Sequence, residues 1–127
     1  MQLSELRKTV LVIDDMAAIL EHAKQLLKGE YSVIPCISAK QALDIMDKRI
    51  PDLILVDINM PEMDGFDFIR QVKSDERFSD VHVMMITAEI TSQIESKGYE
   101  LGAENFILKP FSQPVMLKKI SECLKSL

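Results

Sequence analysis

The chain has 127 residues, of which 47% are hydrophobic and 28% charged, and a formal charge of −5. That length supports one domain with a core of its own, and the acidic balance argues against a nucleic-acid binder, which needs a basic face. No window supplies the apolar stretch of a membrane span, and the opening MQLSELRK lacks the apolar core of a secretory signal, so the expected setting is the cytoplasm, away from any membrane.

The first apolar run, Val10-Leu11-Val12-Ile13, ends in Asp14-Asp15. The period then turns helical from Met16 to Lys28, with Ala17, Leu20, Ala23 and Leu27 on one face and Gly29 at the capping position. A second strand follows at Tyr31 to Ile37. Pro35 inside it cannot donate to a ladder, which confines this strand to the sheet edge. Ser38-Ala39-Lys40-Gln41 has capping-box form and opens a second helix to about Lys48. The third strand, Leu53 to Val56, runs into Asp57, and the stretch from Asn59 to Gly65 (NMPEMDG) has the chemistry of a turn.

A third helix carries Phe66, Ile69 and Val72 on one face and frays near Ser74-Asp75. The fourth strand, Val81 to Ile86, runs into Thr87. Ser92-Gln93-Ile94-Glu95 forms another capping box, opening a helix that stops at Gly102. Gly98 in its middle costs about 1 kcal/mol relative to Ala and predicts a short or mobile helix. The fifth strand, Asn105 to Leu108, runs into Lys109-Pro110. Ser112 then caps a last helix, with Pro114 tolerated in its first turn and Val115, Met116, Ile120, Cys123 and Leu124 as its buried stripe.

Five apolar strands alternating with five helices predict an α/β fold, a flavodoxin-like (βα)5 doubly wound parallel sheet. Right-handed crossovers and the edge position of the Pro35 strand select the strand order 2-1-3-4-5. The whole of 1–127 reads as a single domain, with residues 1–8 as an N-terminal tail and no output domain in this stretch. Cys36 and Cys123 match no metal or redox spacing, and the two histidines build no zinc site with them at any recognised spacing; both thiols read as buried or partly buried and free.

In such a sheet ligands bind beyond the carboxyl ends of the strands, at the point where the strand order reverses. Asp14, Asp15 and Asp57 converge there. Three packed carboxylates stay ionised together only if a cation joins them, and hard oxygen donors select magnesium, or manganese, over zinc. A carboxylate can also be a nucleophile toward phosphorus. Asp57 lies between the other groups and is the candidate nucleophile, with Lys109 and Thr87 placed to meet the remaining phosphoryl oxygens.

These residues resemble the receiver domain of two-component response regulators, on VLVIDD at 10–15, DLILVDINMPEMDGF at 52–66, MMITA at 84–88 and GAENFILKPF at 102–111. The resemblance, close to single-domain chemotaxis-type regulators, runs from about Thr9 to the final helix. It implies that Asp57 is the phospho-acceptor, supplied by a sensor histidine kinase, a histidine phosphotransfer protein or a small phosphodonor. It implies magnesium bound by the side chains of Asp15 and Asp57, by the backbone carbonyl of Asn59 and, through water, by Asp14. Thr87 and Lys109 would contact the phosphoryl oxygens, and the Lys109–Pro110 bond would be cis.

The resemblance further implies that Thr87 and Phe106 form the switch. On phosphorylation Thr87 would move toward the phosphate and Phe106 would turn inward, reshaping the face of the fourth helix, fifth strand and last helix. Phe106 stands where many members carry Tyr, so a hydroxyl contact is missing. Asn59 and Glu89, two residues beyond Asp57 and Thr87, resemble the chemotaxis regulator's pair and imply a short-lived phosphate. The output would be a downstream protein target or a covalently linked output domain, and the chain would be a signalling switch that catalyses only its own phosphorylation and dephosphorylation.

Rival readings are an aspartyl-phosphate phosphatase of haloacid dehalogenase type and a flavodoxin-type electron carrier. The first needs an Asp two residues beyond the nucleophile, where this chain has Asn59; in the second, the strand-end carboxylates would repel a flavin phosphate. His22 reads as a surface helix residue in surroundings unlike a phosphotransfer histidine, and Ile90, Ile94 and Tyr99 read either as core or as part of a docking patch.

Overall fold

A computed structural model describes residues 7–125 of the chain. Five parallel strands form one sheet: β1 (Thr9–Ile13), β2 (Ser32–Cys36), β3 (Leu53–Asp57), β4 (His82–Thr87) and β5 (Phe106–Leu108). Five helices alternate with them: α1 (Ala17–Leu27), α2 (Ala39–Met46), α3 (Gly65–Ser74), α4 (Ser92–Leu101) and α5 (Gln113–Leu124). The strand order is β2-β1-β3-β4-β5, the flavodoxin-like order that Pro35 implied. Pro35 lies opposite Val12 on the edge strand, where its missing N–H faces away from a ladder.

Period-two alternation divides the central strands between two cores. Leu11, Ile13, Ile54, Val56, Val83 and Met85 face α2, α3 and α4 and pack with Ala42, Met46, Phe68, Ile69 and Val72. Val10, Val12, Leu53, Leu55, Met84 and Ile86 face α1 and α5 and pack with Leu20, Ala23, Leu27, Met116 and Ile120. With helices on both faces, the three middle strands have nowhere to place a polar side chain except at their ends.

Several local expectations are corrected. Met16 precedes α1 rather than opening it, and Gly29 is not a left-handed cap, because Lys28 ends the helix in right-handed conformation. The cap of α4 is Thr91, whose hydroxyl accepts from Ile94 N–H, so Ser92 is already helical. Ser112 caps α5 by position without a side-chain bond, and Val115 is 46% exposed instead of buried. Residues 1–6 of the expected tail lie outside the described residues. Arg7 and Lys8 are tied down: Arg7 donates to the Lys28 carbonyl, and the Lys8 carbonyl accepts from Ser32 N–H. Cys36 and Cys123 are free thiols, buried and half-buried respectively.

Gly98 does not shorten α4, which runs unbroken through ten residues and ends at Gly102 in the left-handed region (φ 115°). Its missing side chain makes room: a Cβ there would lie 2.5 Å from Phe106 Cζ and 3.3 Å from Met85 Sδ. Tyr99 meets the same Phe106 ring edge-on, with centroids 5.3 Å apart. Gly98→Ala therefore sets a helix-propensity gain of about 1 kcal/mol against an overpacking cost of about 1–3 kcal/mol. The expected outcome in chemical denaturation is net destabilisation in wild type and stabilisation in a Phe106→Leu background, where the ring is gone.

Candidate functional site

The sheet register brings the polar strand ends together. Ile13 pairs with Val56, so Asp14 follows β1 beside Asp57, the last residue of β3. Asp57 pairs with Ile86, Thr87 pairs with Leu108, and Lys109 follows immediately, its N–H donating to the Thr87 carbonyl. Asp14, Asp57 and Thr87 are buried and Asp15 is exposed. Carboxylate oxygens of Asp14, Asp15 and Asp57 all lie within 4.8 Å of one another. Asp14 Oδ1 also accepts from Met16 N–H, which pins the start of α1 to the rim.

Lys109 is the cation of this cluster. Its Nζ donates to Asp57 Oδ1 at 3.1 Å and lies 2.6 Å from Asp14 Oδ2. The second contact is a close charge pair with an oxygen of the fully buried Asp14. Burial pushes the Asp57 carboxyl above its ordinary value; the bond from Lys109 opposes this, and the charges of Asp14 and Asp15 add to it. Burial alone would pull the Lys109 ammonium down, but its contacts with Asp14 and Asp57 hold it above its ordinary value. One ammonium facing three carboxylates leaves the site short of positive charge. The excess negative charge and all-carboxylate donor set fit a hard divalent cation of magnesium type.

The model of the response regulator receiver domain family matches residues 10–121. The chain belongs to this family. It is 34% identical over 119 residues to the phosphate regulon transcriptional regulatory protein PhoB of Pseudomonas aeruginosa, covering 93% of this chain and 52% of that protein. It is 30% identical over 105 residues to the response regulator Rre1 of Synechocystis, covering 81% of this chain and 46% of that protein. The structure of the chemotaxis protein CheY4 of Vibrio cholerae shares the fold with a TM-score of 0.89 at 28% identity, over 93% of this chain and 99% of that one. The chain thus spans about half the length of these two curated relatives. A receiver domain is a signalling switch in a phosphorelay, and the phosphatase alternative is not favoured.

The receiver's other residues are placed as follows. Thr87 Oγ1 donates to the Glu89 carbonyl at 3.0 Å and accepts from Glu89 N–H at 3.2 Å, a local clasp that the sequence did not show. Asn59 and Glu89 are exposed beside the rim. Phe106 is only 1% exposed, already turned inward between Gly98 and Tyr99. The inward turn expected on phosphorylation is therefore the position the ring holds here. The Lys109–Pro110 bond is cis. Gly65 is a further site residue read in sequence only as turn chemistry: a Cβ there would sit 2.4 Å from the Asp57 carbonyl oxygen, so α3 reaches the end of β3 only with glycine at this position. His22 is exposed and stacks on Phe111.

The raised Asp57 pKa has a definite stability consequence. A carboxyl titrating higher folded than unfolded favours folding at low pH, and that contribution is lost as pH rises through the folded value. Asp57→Asn removes the loss while Lys109 keeps Asp14. In magnesium-free buffer the variant's melting temperature should exceed wild type's near pH 7, with the gap closing toward about pH 4. A thermal scan showing no gap at neutral pH contradicts the reading.

Proposed function

We propose that Asp57 accepts a phosphoryl group from the phosphohistidine of a sensor kinase or a histidine phosphotransfer protein, and that the transfer reshapes the face of α4, β5 and α5 to control a partner protein or a linked output domain. The observation that carries this is the partly buried Lys109 ammonium 3.1 Å from Asp57 Oδ1, beside a cluster of three carboxylates. An Asp57 oxygen forms the new O–P bond as the N–P bond of the donor breaks, and the leaving imidazole takes up one proton. Lys109 fixes the attacking carboxylate and then pairs with a phosphoryl oxygen. Asp14, Asp15, Asp57 and the Asn59 carbonyl would hold magnesium, which would neutralise phosphoryl charge when bound. Attack by water later releases phosphate and restores the carboxylate. The reaction belongs in the cytoplasm, and among the described residues no helix is long and apolar enough to cross a membrane.

The coupling runs through Thr87. For its hydroxyl to reach a phosphoryl oxygen it must leave the Glu89 carbonyl, exchanging one hydrogen bond for a charge-assisted and stronger one. Ala88 to Thr91 then move, and Thr91 is the cap of α4. Because Phe106 is already seated, the signal passes through this loop and α4 more than through travel of the ring. Exposed Leu108 and Val115, with Ile90 beside them, offer the apolar surface that such a shift would alter.

Incubation with magnesium and acetyl phosphate, read by intact mass, should give one phosphoryl adduct on wild type and none on Asp57→Ala or in excess chelator. An equal adduct on Asp57→Ala, or none on wild type, sinks the assignment. Lys109→Ala should still take up phosphate, with the amide shifts of α4, β5 and α5 that accompany wild-type phosphorylation lost in NMR spectra.

A further inference from the structure

At the opposite end of the sheet, three residues from three elements meet. His82 opens β4, Glu104 lies in the turn before β5, and Cys123 is in the last turn of α5. His82 Nδ1 is 2.7 Å from Glu104 Oε2, and Cys123 Sγ is 3.6 Å from the same oxygen. All three donor atoms fall within 4.8 Å of one another. The six-residue β4 separates them from Thr87 and the Asp57 rim by roughly 16 Å, so this cluster is not part of the phosphoryl site.

We propose that His82, Glu104 and Cys123 form a binding site for a zinc-class divalent cation. The donor set is one imidazole nitrogen, one carboxylate oxygen and one sulfur, the borderline-soft combination that selects zinc over magnesium. Tetrahedral coordination with bonds of about 2.0–2.3 Å places donors about 3.3–3.7 Å apart. Reaching it requires only that the His82–Glu104 contact open slightly and that Sγ and Nδ1 close on a common centre. The backbone resists further change, because Glu104 N–H donates to the Val83 carbonyl and His82 N–H to the Asp52 carbonyl. Three protein ligands leave the fourth position to water, and the cluster's partial exposure gives an ion access. The Cys123 thiol releases its proton to solvent as the metal–sulfur bond forms. Lys73 lies near Cys123 and opposes a cation, but its ammonium is tied to the carbonyls of Ser79 and Val81.

A nucleophilic triad fits the same residues less well. Glu104 contacts both neighbours, so it is the carboxylate and not an imidazole base that meets the thiol. A bound ion would join the amino ends of β4 and β5 to α5 and raise stability by mass action.

Cobalt(II) is the probe, titrated into the full chain with excess magnesium to occupy the carboxylate rim. Cys36 is 0% exposed, so a thiolate-to-cobalt charge-transfer band reports on Cys123. The expected result is a band saturating at one equivalent in wild type, lost in Cys123→Ser, and about tenfold or more weaker in affinity in both His82→Ala and Glu104→Gln. Zinc should displace the cobalt and raise the melting temperature of wild type but not of Cys123→Ser. Circular dichroism checks that the variants are folded, and the His82 and Glu104 substitutions at partly exposed positions keep the test open if Cys123→Ser is not. No band in wild type, or a band of unchanged affinity in His82→Ala (a bare thiol collecting metal), overturns the proposal. The inference is independent of phosphorylation at Asp57.

Discussion

One ammonium among three carboxylates is the constraint around which this receiver is built. Lys109 reaches Asp14 and Asp57 from the end of β5, across the carboxyl ends of β1, β3 and β4. Burial, and after it the like charges of Asp14 and Asp15, raises the cost of ionising Asp57, and a single cation offsets only part of it. The residual imbalance fits a hard divalent cation at this rim. A site already neutral would have no such demand.

The fold sets up this imbalance by allowing no other place for it. β1, β3 and β4 carry apolar side chains to both faces and are covered by helices on each, so polar groups fall at the strand ends. Parallel pairing in register then aligns those ends within one hydrogen-bonding layer. Gly65 brings α3 against the Asp57 carbonyl, and Asp14 pins α1 through Met16 N–H, so both flanking helices are referenced to the rim. A second close fit joins α4 to β5, where Phe106 fills the space left by Gly98 and is closed off by Tyr99.

Much of this could be read from residue types in order. Pro35 gave the edge strand and hence the adjacency of Asp14 and Asp57, because a missing N–H has a topological meaning that one sequence can carry. Asp57, Thr87 and Lys109 were legible as strand-end groups. What escaped was decided by tertiary geometry. Gly98 looked like a helix defect because propensity does not see the Phe106 ring, and Val115 fits the apolar period of α5 yet points away from the core. Thr91 and Ser92 are both capable caps, and backbone conformation chooses between them. The Thr87–Glu89 clasp depends on a loop bend, and the His82–Glu104–Cys123 cluster joins residues with no motif spacing.

The most direct test of the charge imbalance at the rim is a magnesium titration followed by amide NMR on wild type and Asp15→Asn. One-to-one binding should shift the amides around Asp14, Asp15, Asp57 and Asn59, with affinity falling by about tenfold or more in Asp15→Asn. Shifts centred elsewhere, or an affinity unchanged by loss of the Asp15 charge, would contradict the account.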